Sequence, residues 1–74
     1  MRLVGNRGRV YLEIVAVGMG FIYENREFIT IYEYAWDGEH GCTTLDGVKR
    51  MFKDLKQEMP ELRLKGSLPS VTMH

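Results

Sequence analysis

The sequence predicts an α+β fold: a small antiparallel sheet of three to four strands with one helix packed on one face. Three observations carry this expectation. Residues 10–17 (V-Y-L-E-I-V-A-V) and 28–36 (F-I-T-I-Y-E-Y-A-W) are rich in β-branched and aromatic side chains and hold one charge each, the composition of strands. Leu45, Val48, Met51, Phe52, Leu55 and Met59 recur at three- and four-residue steps, which is one apolar stripe along a helix. Asn, Gly and Pro punctuate the chain between these runs.

Taken in order, residues 1–8 are glycine-rich and basic, a flexible lead-in with a short extended piece at 2–4. The first strand covers 10–17. Gly18-Met19-Gly20 then marks either a tight turn or a bulge that bends one long hairpin. A second short strand covers 21–24. The polar residues 24–27 form a hairpin hinge in which Asn25 tolerates a left-handed backbone. The next strand follows at 28–35, and residues 37–41 (D-G-E-H-G) read as a loop.

The helix spans residues 44–58. Thr43 or Thr44 caps it, with Asp46 in a weak capping box, and Pro60 stops it. Gly47 weakens its first turn by up to about 1 kcal/mol relative to alanine. Residues 62–64 alternate like a final edge strand, and residues 66–74 read as a loosely held tail.

Charge decides which strand face meets the helix, because burying an unpaired carboxylate is costly. In residues 28–36 the uncharged face is Phe28, Thr30, Tyr32, Tyr34 and Trp36; in 10–17 it is Val10, Leu12, Ile14 and Ala16. The opposite face keeps Tyr11, Val15, Val17, Ile29, Ile31 and Glu33, and a single helix has no means of covering it. An apolar face left open on a small domain points to contact with a partner. Those six residues are the expected partner-binding surface, with Tyr32, Tyr34 and Trp36 taking their place if the faces are reversed.

A chain of 74 residues makes one domain, residues 1–74. A chain this short buries only about 60% of its unfolded surface. One cysteine, Cys42, excludes an internal disulfide framework, so an oligomer or bound partner is the expected support. Ten basic and ten acidic residues cancel, which gives no general attraction to nucleic acid or an anionic membrane. The first nine residues are too polar for a signal peptide, and no apolar run is long enough to span a bilayer. A cytoplasmic protein with no membrane association is expected.

Residues 37–42 (D-G-E-H-G-C) pack four potential metal ligands together, but no second Cys or His arm accompanies them; the other histidine is His74. His40 and Cys42 also lack the orienting group and pocket that nucleophilic catalysis needs. Neither phosphate-binding glycine motif is present. No enzyme activity, metal or cofactor is expected. The expected function is a non-enzymatic interaction module that binds a protein, by self-association or by occluding a macromolecular target as a regulator or inhibitor does. The alternative is a nucleic-acid-binding module, with Arg2, Arg7 and Arg9 as a basic arm and Lys49, Lys53 and Lys56 on a basic helix face contacting phosphates.

Overall fold

The computed structural model describes residues 1–70. Its strands are β1 (Arg2–Val4), β2 (Val10–Ile22), β3 (Glu27–Trp36), β4 (Glu39–Thr43) and β5 (Arg63–Lys65), with one helix, α1 (Leu45–Glu58), joining β4 to β5. All neighbours pair antiparallel in one sheet of order β4-β3-β2-β1-β5. The α+β layer expected from the sequence is present, with five strands where three to four were counted.

The strand count differs for three physical reasons. Residues 2–4 of the expected lead-in form β1, which is held between β2 and β5 and buries Leu3. Residues 18–20 are neither turn nor bulge: Gly18, Met19 and Gly20 stay in the ladder opposite Ile31, Thr30 and Ile29, so β2 runs on without a break to Ile22. A Cβ on Gly20 would lie 2.9 Å from Cγ1 of Ile31; glycine is what lets that isoleucine lie across the strand. Third, the expected 37–41 loop shrinks to a two-residue turn. Asp37 and Gly38 both have positive φ (51° and 82°), as a type I′ hairpin requires, and β4 begins at once. At the β2–β3 hinge the left-handed residue is Arg26 (φ 53°) rather than Asn25.

Two irregularities in β2 reset its faces. Between β2 and β3 the register slips so that Ile14 pairs with Tyr34 and Ala16 with Glu33, leaving Val15 as the extra residue of a bulge. Between β1 and β2, Leu3 pairs with Leu12 and Val4 with Val10, which leaves Tyr11 extra. Strict alternation therefore fails at both places.

The helix is capped by Thr44, whose Oγ1 accepts from the Gly47 N–H at 3.3 Å. The glycine in this first turn has a steric cause. A Cβ there would collide with Oγ1 of Thr43, which leans over the helix start. After α1 the chain folds back, and Lys56 Nζ donates to the carbonyl of Leu62 at 2.7 Å. That clamp accompanies the burial of Leu62 under the helix and the return of β5 to the edge beside β1.

The core lies between α1 and one sheet face, in two clusters. Leu3, Leu12, Leu55 and Leu62 form one; Ile14, Tyr32 and Val48 form the other. Tyr34 and Phe52 are half-buried against both. From the expected tail, Leu68 packs against the second cluster; residues 71–74, including His74, lie outside the described residues. Among the described residues no helix is long and apolar enough to cross a membrane.

Candidate functional site

The two longest strands outrun everything that packs on them. A 14-residue helix is about 21 Å long, whereas a 13-residue strand spans roughly 44 Å. β4 pairs with β3 only over residues 32–36, and β1 pairs with β2 only up to Glu13. Beyond those points β2 and β3 continue, among the described residues, as a two-stranded arm, and the molecule is elongated at 43 × 26 × 18 Å.

The arm carries the two most exposed large apolar side chains among the described residues, Tyr23 and Phe28. Register puts Val17, Met19 and Phe21 of β2 opposite Tyr32, Thr30 and Phe28 of β3, on the face that further down meets the helix. Past the end of the core this face is bare: Met19 is 48% exposed, Phe21 39%, Phe28 70% and, at the turn, Tyr23 84%. Phe21 is the hub of an aromatic cluster. Its ring centroid lies 4.9 Å from Phe28 and 5.0 Å from Tyr23, the latter edge-on. The Thr30 hydroxyl donates to Met19 Sδ at 3.8 Å beside them.

The expected partner-binding residues do not all share one surface. Ile29, Ile31 and Glu33 lie on the face away from the helix; both isoleucines are half-buried, and Ile31 lies over Gly20. Val17 is a correction: the bulge at Val15 turns it to the helix side, where it packs against the Ile14, Tyr32 and Val48 cluster. Tyr11 is the second correction, because the slip at β1 brings it against the Leu3, Leu12, Leu55 and Leu62 cluster. Val15 itself is exposed at the bulge. Of the reversed-face set, Tyr32 is buried, Tyr34 half-buried and Trp36 exposed at the sheet's end.

The basic residues are spread over three surfaces. Arg2 lies on the open sheet face in a cross-strand row with Lys65, Glu13, Ala35 and His40. Arg7 and Arg9 belong to the β1–β2 turn, where the Arg9 guanidinium sits 5.0 Å above the Tyr11 ring and 3.9 Å from Asp37. Lys49 and Lys53 are exposed on the helix, and Lys56 is engaged with the Leu62 carbonyl. Lys49 and Lys56 also flank an apolar groove of about 290 Å³ between α1, Leu64 and Leu68. In the 37–42 segment, His40 and Cys42 are exposed on β4, opposite Ala35 and Glu33. Among the described residues no three His, Cys, Asp or Glu side chains gather as a metal-holding group.

No protein family, curated protein or solved structure matches this chain.

Sequence reasoning passed over Met19, Phe21 and Tyr23. The available signal was length. A helix bounded by Thr44 and Pro60 cannot reach along a hairpin that runs unbroken from Val10 to Trp36, so part of that hairpin has to be bare. Ending the first strand at Gly18 concealed it.

Proposed function

We propose that this protein is a non-enzymatic interaction module whose contact surface is the β2–β3 arm, and that its partner is a protein. The observation that carries this reading is the cluster of Phe21, Tyr23, Phe28 and Met19 at the end of the arm, open to solvent on the helix-side face. Large aromatics are the side chains that dominate protein–protein contacts. An isolated two-stranded hairpin is also marginal in water, so a third layer or strand would stabilise the arm. Ile29 and Ile31, the surface expected from sequence, belong to the same arm on its other side. Cytoplasmic placement is part of the reading, since Cys42 is a free, exposed thiol, which suits a reducing compartment.

The test is affinity capture from a source-cell lysate, with and without nuclease, using the native chain, a Tyr23→Asp/Phe28→Asp double variant and a Lys49→Glu/Lys53→Glu double variant. The expected result is a stoichiometric protein that survives nuclease, is lost with the arm variant and is kept by the helix variant. Capture that disappears with nuclease and with the helix variant would replace this reading with nucleic-acid binding through the basic residues.

A further inference from the structure

Resting on that reading, we infer that the occupant of the arm is a second copy of this chain, paired antiparallel along the free edge of β2. On the side facing β1, β2 has no neighbouring strand among the described residues from Val15 to its end, because β1 pairs no further than Glu13 and the Met1 carbonyl accepts from Ile14. Edge strands that stay single are normally guarded by a charge, a proline, a bulge or a short length. Residues 15–22 read V-A-V-G-M-G-F-I, with no charge or proline, and the bulge at Val15 lies at the start of the edge, leaving 16–22 regular.

The sequence of the edge suits a two-fold axis at Met19. Antiparallel pairing about that residue sets Val17 against Phe21, Gly18 against Gly20 and Ala16 against Ile22, so no like charges meet. The Val17–Phe21 pair is of the aromatic and β-branched kind that stabilises neighbouring strands. Because Val17, Met19 and Phe21 share the helix-side face, the apolar stripes of two copies would join into one. The same register carries the acidic turn residue Glu24 of a second copy toward the end of β1, where Arg2 is the first charged side chain.

The available area is also adequate. Val15, Met19, Phe21 and Tyr23, all on β2 or its turn, are 42%, 48%, 39% and 84% exposed. At up to about 200 Å² for a large residue, these four expose at most roughly 400 Å² per copy, to which the other residues of the edge add. Two copies together then approach the ~1,000 Å² at which specific interfaces begin.

Sedimentation velocity of the purified chain over a wide concentration range tests this, together with Met19→Lys. The native chain should dimerise; the lysine variant should keep its far-ultraviolet spectrum and raise the dimer dissociation constant by more than ~10-fold. A Met19→Cys/Cys42→Ser variant should cross-link into a covalent dimer on mild oxidation. Facing residues of antiparallel strands lie about 4.5–5.5 Å apart at Cα, within disulfide reach. A native chain that stays monomeric throughout overturns the self-pairing, as does a dimer that ignores Met19→Lys and fails to cross-link at position 19. If the chain is monomeric yet the Tyr23→Asp/Phe28→Asp variant still loses a captured protein, only the self-pairing fails and the arm keeps a different occupant. If that variant loses nothing, the arm reading fails with it.

Discussion

Tyr32 and Phe28 sit on the same face of the same strand, four residues apart, and have opposite surroundings. Tyr32 is buried against Ile14 and Val48, while Phe28 is 70% exposed with Phe21 as its neighbour. The difference lies in what the topology can deliver to each position. α1 and β4 both reach Tyr32, whereas residues 27–31 of β3 lie beyond the last pair of β4 and beyond the buried clusters. Burial here is a property of helix length and strand length together, and the same residue type serves as core at one end of a strand and as contact surface at the other.

The body should therefore respond sharply to substitution and the arm weakly. Leu12 is fully buried, so Leu12→Ala should lower the unfolding free energy by about 2–5 kcal/mol in urea titration, much of what a small domain possesses. A loss below about 1 kcal/mol would mean the body is not the stable half. Phe52, half-buried at the edge of the groove, should cost less to truncate than the roughly 3–5 kcal/mol of a fully enclosed phenylalanine.

The helix start offers an intermediate test. Gly47→Ala ordinarily strengthens a helix by up to about 1 kcal/mol, but here the added methyl meets Thr43, and overpacking of this kind costs about 1–3 kcal/mol. Thermal melts should show a net loss, and the sign should reverse when Thr43→Ala is combined with it. Thr44→Ala, which removes the cap, should cost about 1 kcal/mol in the same assay.

In the arm, Phe28→Ala should change monomer stability by less than about 0.5 kcal/mol. Amide exchange sharpens the contrast without mutation. At concentrations where the chain is monomeric, amides of residues 17–22 and 27–31 should exchange well before those of residues 10–14. Equal protection in both halves would show that the arm is already covered.

Much of the body was readable in the sequence. The apolar stripe from Leu45 to Met59 marked α1, and Leu12, Ile14, Tyr32 and Tyr34 of the uncharged faces do lie on the side it covers, since periodicity and charge act locally. Ala16 is turned to the Glu33 face by the bulge, and Val10, Phe28 and Trp36 are exposed. What was lost depended on partners distant in the chain. Val15 and Tyr11 look like ordinary members of an alternating strand, and only the pairing with β3 and β1 makes each of them the extra residue that moves Val17 and the Tyr11 ring to the helix side. Gly47 read as a weak helix residue because Thr43 was not known to lean over it. One signal was local and still missed: Asp37-Gly38 between strand-like runs is a two-residue hairpin signature, and it announces β4.

The strand order also has a consequence for how the chain folds. β2, β3 and β4 are successive hairpins, closed by short turns, and such local pairings form early. β1 is made first yet sits between β2 and β5, and its outer partner is the last strand of the sheet, with Arg2 opposite Lys65. During synthesis the meander can assemble while one side of β1 still awaits its neighbour. That seam closes only after α1 has docked and Lys56 has turned the chain back, which makes it the late, long-range step of folding.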